Sequence, residues 1–292
     1  MLEHLTDLRR PKRVVVAGAG GFVGTAVSQR LERDGVPVLR LTREHLDLAG
    51  ADAEATLVAL LKGGDVFVAA AASAPCKDTD ALIENMKIAR NLARALRRAR
   101  DLVHVVNISS DAVYADSAHP INESSCAGPT SLHGAMHLAR EFVFKTDVKA
   151  ALANLRPTLL YGAADPHGGY GPNSFRRLAA EGKEIVLFGE GEERRDHVYI
   201  DDLAEIVAQV IYRRSAGTLN VASGEVHTFR TIAEKIAALS GNKAVSVKGT
   251  PRVGPMPHGG LRAFDIALCR KMFPEFKYTP LADGLKKAQG AK

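Results

Sequence analysis

The sequence predicts an α/β protein, a doubly wound parallel sheet with a smaller C-terminal domain, and three observations carry that prediction. Short β-branched or apolar runs alternate with helix-length amphipathic stretches from Arg13 to Leu155. A glycine-rich turn, VVVAGAGGFVG, joins the first run to the first such stretch. From Gly162 onward the punctuation changes to Gly and Pro clusters, which marks a different, loop-rich half. Strands separated by helix-length segments need crossover connections, so they run parallel and both faces of their sheet are covered.

Taken in order, residues 13–17 form the first strand, residues 22–34 a helix and residues 36–41 a second strand, which completes a βαβ unit. Further strands are expected at 66–70, 102–108 and 151–155, with helices at 53–61, 79–100 and 132–145 between them. Downstream, AADPHGGYGPN, GEGEE and GTPRVGPMPHGG read as loops around helices at 174–181, 201–213 and 228–240. The expected division is a sheet domain over residues 1–165, completed by parts of 196–225, with residues 166–292 mainly forming the second domain.

Composition narrows the function classes. With 292 residues, 46% hydrophobic and 25% charged, the chain can bury one large core or a core with a smaller domain attached, and it is not a disordered segment. Its longest apolar runs, such as residues 65–72, fall far short of the ~20 residues of a membrane span, so no membrane partner is expected. The segment MLEHLTDLRRPKR has no apolar stretch of leader type, and a cytoplasmic location is expected. Cys76, Cys126 and Cys269 are widely scattered, which suggests neither a disulfide framework nor a metal site. The net charge of +6 suits anionic ligands such as phosphates. Nucleic acid is not expected, because the basic residues are not interleaved with aromatics and tryptophan is absent.

The glycine turn carries the first chemistry. Gly18, Gly21 and Gly24 follow a strand and open a helix, which permits a tight turn, close approach of backbone N–H groups to a pyrophosphate, and close helix packing. With the second strand in place, the unit reads as a Rossmann-type dinucleotide site. An acid at the end of that second strand would hold the ribose hydroxyls of NAD, whereas an arginine accommodates a 2′-phosphate. Here Thr42 stands where the acid is expected and Arg43 follows it, with Arg40 nearby, so NADP(H) is favoured and NAD(H) is the alternative. Asp47 and Leu48 are placed at the adenine, a helix cap being the other reading of Asp47.

These residues combine with DVFVAAAA, the asparagine of ENMKIARNL, NISSDAVYAD, LRPTLLYG, LFGEGEERRDHVYIDDLAEIV and TLNVASG. In that order they make the chain resemble the extended short-chain dehydrogenases/reductases, the NAD-dependent epimerase/dehydratase group that modifies nucleotide-activated sugars. LRLTREHLDL and GGLRAFDIALCRKMF are similar to the branch that includes GDP-fucose synthase. The resemblance implies a cofactor site at Gly18, Gly21, Phe22, Val23, Gly24, Ala70 and Ala71, a nucleotide diphosphate sugar as substrate, and a homodimer.

One departure matters most. The family carries Tyr-x-x-x-Lys on a helix, the tyrosine exchanging a proton with a sugar hydroxyl and the lysine lowering its pKa and holding the nicotinamide ribose. The matching stretch is SLHGAMHLARE, with His133 and His137 at the two positions. Histidine is itself an acid/base group near neutrality, so His133 can take the proton-transfer role while His137 contacts ribose or relays the proton. Loss of turnover is a second reading, and a metal pair a third, although no third ligand is evident.

The resemblance also aligns Ser110 with the hydroxyl that bonds the reacting sugar oxygen, and Asp111 with the dehydratases' acid, whose companion Glu is Ala112 here. Arg195 matches the diphosphate-binding arginine, with an ion pair to Glu192 or Glu193 as its bland alternative; Asn173 and Arg262 are further substrate candidates. The implied activity is hydride transfer at a sugar carbon, as reduction of a keto sugar or epimerisation through a transient ketone. The alternative is a regulatory or scaffolding protein that holds NADP(H) without turnover.

Overall fold

A computed structural model describes residues 1–166 and 168–290; His167, within the AADPHGGYGPN loop, lies outside the described residues. The first half runs β1 (Val14–Ala17), α1 (Phe22–Arg33), β2 (Val38–Leu41), α2 (Ala53–Leu60), β3 (Val66–Ala69), α3 (Thr79–Arg98), β4 (His104–Ile108), α4 (Leu132–Asp147) and β5 (Ala151–Pro157). The chain continues through β6 (Leu159–Tyr161), α5 (Pro172–Ala180), β7 (Ile185–Phe188), β8 (Arg194–Tyr199), α6 (Ile200–Tyr212), β9 (Gly217–Val221) and β10 (Val226–Thr228). It ends with α7 (Phe229–Ser240), β11 (Val247–Thr250), β12 (Leu261–Arg262), α8 (Ala267–Met272) and α9 (Leu281–Gly290).

Six of these strands make one parallel sheet in the order β2-β1-β3-β4-β5-β9. Its two faces explain why β1 is apolar throughout. Val14 and Val16 join a core with Val27 and Leu31 of α1 and Leu203 and Val207 of α6. Val15 and Ala17 join the opposite core, with Leu57 of α2, Leu92 and Leu96 of α3 and Phe144 of α4. A strand covered on both sides is mostly apolar along its length, not only at alternate positions. The strand order reverses at β1, with β2 on one side and β3 on the other, so a crevice opens at the carboxyl ends of these strands.

Element ends differ from expectation for local reasons. Arg13 stands just before β1, its carbonyl accepting the Val66 N–H at 3.1 Å and its guanidinium forked onto Asp65 at 2.9 and 2.6 Å. Pro37 keeps β2 from starting before Val38, since it has no N–H to give the ladder. Helix α5 starts at Pro172 and not at 174, because a proline at the first helical position loses no hydrogen bond.

The larger correction concerns the second half, which is not loop-rich. The described residues hold a β10-β8-β12 sheet with β6 paired to β8, and a β7–β11 pair. These strands span only two to six residues, and some carry charge, as in RRDHVY, so a search for long apolar alternation passes over them. Within residues 196–225, α6 packs on α1 and β9 joins the parallel sheet beside β5, while β8 belongs to the second sheet.

Asp196 ties the two sheets together. Its buried carboxylate accepts Thr158 Oγ1, in the β5–β6 connection, at 3.0 Å, and the backbone N–H groups of Ser223 and Gly224, after β9, at 3.0 and 2.7 Å. Asp196→Ala strands two backbone donors and one hydroxyl, and should cost about 3 kcal/mol. Asp196→Asn, which keeps one acceptor, should cost less; urea unfolding midpoints of the two variants against the parent check the order.

Candidate functional site

The site begins where backbones meet with no room for side chains. Gly18 has φ +83°, and a Cβ there would lie 2.6 Å from Ala71 N; a Cβ on Gly24 would lie 2.1 Å from Gly18 O. Only glycine permits that approach, which seats the glycine turn directly on the chain leaving β3. Gly21 precedes α1, and no side chain caps this helix, so its first N–H groups are left for a ligand. A cradle that a single Cβ would fill, at an uncapped helix start, fits the pyrophosphate of a dinucleotide.

A cavity of about 450 Å³ lies against this turn, lined by Thr42, Arg43, Asp47, Leu48, Ala70 and Ala71 among others. Asp47 lines the cavity and accepts the Ala49 N–H at 3.0 Å in a local turn; it caps no helix, since α2 begins at Ala53 with Asp52 before it. Thr42 Oγ1 is 2.7 Å from His45 Nδ1. Arg43 is 80% exposed and paired with Glu84 at 2.7 Å, whereas Arg40 is turned away onto Glu32. The asparagine of ENMKIARNL, Asn85, is buried and fixes the next stretch of wall: its Oδ1 accepts Ser73 N–H and its Nδ2 donates to Ser73 O.

A second cleft, about 560 Å³, adjoins the first and shares Gly21, Ala70 and Ala72 with it; Phe22, Val23 and Gly24 also border it. Into this cleft open Ser110, Asp111, His133, His137, Asn173, Arg195 and His197. Local packing explains the convergence. Ser110 ends β4's extension and its Oγ accepts the Ala112 N–H at 3.1 Å, turning the chain into a short 3₁₀ segment. Ser131 caps α4 by accepting the Gly134 N–H, and Gly134 lies so close to Ala112 that a Cβ would sit 2.0 Å from the Ala112 carbonyl oxygen. His133, one residue earlier, is thereby held beside Ser110 and Asp111.

The two imidazoles stand edge to face, with ring centroids 4.7 Å apart. His133 Nδ1 accepts the Cys76 N–H at 3.4 Å. Burial pushes His133 below its ordinary pKa against the pull of the Asp111 carboxylate. His137 is buried, its Nδ1 lacks a partner, and burial, His133 and Arg140 hold its pKa well down. Both rings are therefore neutral near pH 7. Among the described residues no group of three or more His, Cys, Asp or Glu could hold a metal ion.

Arg195 is mostly buried, 3.3 Å from Glu193 and 3.9 Å from Asp111; the expected ion pair exists, but inside the cleft and not on the surface. Asn173 is largely engaged, accepting Gly162 N–H and donating to Asp165. Arg262 differs from the expectation of a substrate contact. It does not line the cleft, and its buried guanidinium donates to Asp111 Oδ2 at 2.9 Å, Asp111 O at 2.6 Å and Asp116 at 3.2 Å, so it steadies Asp111 from behind.

Several participants escape the sequence reading. His197 follows Arg195 by two residues on β8, and the period of a strand puts both on one face. Arg140 follows His137 by three on α4, one helical turn. Glu141 is locked onto Arg156 at 2.9 and 2.6 Å and accepts Ser109 Oγ beneath the cleft.

The neutral histidines make stability depend on pH. His104, bonded to Ser215 O, and His197 are pushed by burial to about 4 and about 3, and His133 and His137 are also lowered. The unfolded chain takes up protons on these rings near pH 6.5 while the folded chain does not. Stability should thus be full above pH 6.5 and fall between 6.5 and 5, by at most about 1.4 kcal/mol per ring per pH unit. Urea midpoints across that window measure the slope, and His104→Gln should make it shallower.

Comparison with known proteins agrees with this geometry. The pattern of the NAD dependent epimerase/dehydratase family matches residues 14–222. A provisionally named GDP-L-fucose synthase 2 of rice, Oryza sativa subsp. japonica, is 30% identical, covering 94% of this chain and 85% of that protein. The UDP-glucose 4-epimerase of Mycolicibacterium smegmatis is 27% identical, covering 94% and 96% respectively. Among solved structures, the UDP-glucose 4-epimerase of Thermus thermophilus in complex with NAD superposes with a TM-score of 0.81 at 23% identity, covering 95% of this chain and 97% of that one. The chain belongs to the NAD dependent epimerase/dehydratase family and is an enzyme of the extended short-chain dehydrogenase/reductase type.

Proposed function

We propose that this protein transfers hydride between NADP(H) and a carbon of a nucleotide diphosphate sugar, using His133 and His137 where its relatives use tyrosine and lysine. The observation that carries the reading is the convergence of the glycine turn, Ser110, the histidine pair and Arg195 on one continuous crevice. Residues 1–165 with α6 and β9 would hold the dinucleotide, and the second sheet would hold the sugar nucleotide.

When bound, the dinucleotide supplies or accepts the hydride; the chain's residues handle orientation and charge. Arg195 offers a guanidinium suited to fork onto a diphosphate, exchanging its Glu193 contact for phosphate oxygens. Ser110 supports the sugar oxygen with its hydroxyl. His133 Nδ1 is taken by the Cys76 N–H, so the neutral ring carries its proton on Nε2 and acts on the sugar oxygen as a donor. The Nε2–H hydrogen bond stabilises an oxygen that gains negative charge, as when hydride adds to a ketone; the proton that completes the alcohol comes from solvent, because a neutral ring that gave up Nε2–H would be left as an imidazolate. Base catalysis in the opposite direction requires the other tautomer and gives up that one hydrogen bond. Epimerisation, which needs both directions, remains open to the same pair at that cost. The Glu-to-Ala112 change beside Asp111 disfavours dehydration.

Two measurements check the reading. NADP(H) should bind more tightly than NAD(H), because the 2′-phosphate can draw Arg43 from Glu84, and Arg43→Ala should remove most of a difference of roughly tenfold. Equal affinities in the parent would refute the cofactor choice. His133→Gln and His133→Ala should lower turnover on the order of a hundredfold with cofactor affinity nearly unchanged, while His137→Ala should weaken both. The assay follows nicotinamide absorbance over UDP, GDP, dTDP and CDP sugars, with product stereochemistry determined. Binding of a sugar nucleotide without conversion would favour the non-catalytic reading.

A further inference from the structure

Arg140 is a cation in a place where cations are costly. It is 2% exposed, and among the described residues no carboxylate pairs with it; its neighbour Glu141 is committed to Arg156. Burial lowers its pKa only to about 10, so it keeps its charge at neutral pH. The guanidinium lies over the Phe144 ring, 5.3 Å from the centroid, and its Nε has no partner. Its two terminal nitrogens donate to Ala69 O and Ala71 O, each at 2.6 Å. A buried, unpaired charge costs several kcal/mol unless its geometry returns something.

What it returns is visible in what those carbonyls belong to. Ala69 ends β3, and Ala71 is the residue whose N and Cα stand against Gly18. Ala70 and Ala72, between and after them, line both halves of the crevice. The fork therefore reaches from α4 through the back of this wall to the glycine turn in front. It also sets a fixed positive charge behind the surface on which an anionic dinucleotide would lie, and beside His137.

We infer that Arg140 is a positioning residue of the dinucleotide site: its buried fork locks residues 69–72 against Gly18 and so sets the shape of the glycine turn. The dinucleotide half of this inference rests on the function proposed above; the backbone lock does not. The lock acts through the wall and not through substrate, so Arg140 touches no reacting atom.

The test uses the full chain, first without ligand. In the parent, the Ala70 and Ser73 amides are bonded to Ala17 O and Asn85 Oδ1. In Arg140→Met, which keeps the bulk and removes the fork and the charge, both amides should exchange at least about tenfold faster although their acceptors remain. NADH and NADPH should then bind roughly tenfold more weakly, by titration calorimetry on protein shown to be folded. Arg140→Lys, which keeps the charge and one carbonyl bond, should recover most of both effects. A purely structural role predicts a lower melting temperature with unchanged dissociation constants, and that result overturns the inference, as does parent-like exchange in folded Arg140→Met. If Arg140→Met does not fold, Arg140→Gln carries the same comparison, and parent-like exchange and affinity in it are equally fatal. A parent that binds neither dinucleotide defeats the cofactor reading alone, and the exchange rates still decide the lock.

Discussion

The site depends on one close approach of backbone to backbone. Gly18 meets Ala71 and Gly24 meets Gly18 at distances that exclude any side chain, so the start of α1, the turn before it and the end of β3 behave as one piece. A parallel sheet with helices on both faces has few places where main-chain groups can meet a ligand, and the strand-order reversal beside β1 is such a place. The glycines keep it open. A second close approach, Gly134 on Ala112, does the same for α4 and brings the histidine pair to the crevice.

Charge in the cleft is arranged in layers. Arg195 faces the open space, Asp111 stands behind it, and Arg262 stands behind Asp111. An anion entering the cleft meets a guanidinium paired with Glu193 and near Asp111, of which Asp111 is also held by Arg262. Below this layer, Ser109, Glu141 and Arg156 form a buried hydrogen-bonded network, continued by the guanidinium of Arg156 over the Tyr114 ring and by the Tyr114 hydroxyl donating to Asn220 Oδ1. Such a network rigidifies the floor on which Ser110 sits.

Much of the first half was legible because its physics is local and repetitive. Doubly covered strands are mostly apolar along their length, and VVVA of β1 and VFVA of β3 announce that plainly; buried β4, HVVNI, admits His104 and Asn107 with hydrogen bonds to Ser215 O and Asn154 Oδ1. The glycine turn was legible from its spacing between strand and helix, and the histidine pair because the resemblance sets it on the family's tyrosine and lysine positions. The second half was not, since strands such as β12 and β8 are short and carry Arg, Asp and His whose partners lie far away in sequence. Arg262 looks the same in sequence whether it meets a phosphate or Asp111; only the fold brings it 2.9 Å from a carboxylate 151 residues earlier. Arg140 was hidden for the same reason, as its acceptors are main-chain carbonyls that every residue has.

The pinning of Gly134 on Ala112 carries one more implication, about reach. Because the first turn of α4 cannot shift relative to Ser110, the distance a functional atom extends into the cleft is decided by side-chain length alone. An imidazole ends well short of where a phenol oxygen would, so the cleft in front of His133 is wider than a tyrosine there would leave it. The added room lies at the wall formed by the first turn of α4, next to Ser110 and Asp111, and a tyrosine at position 133 would fill it.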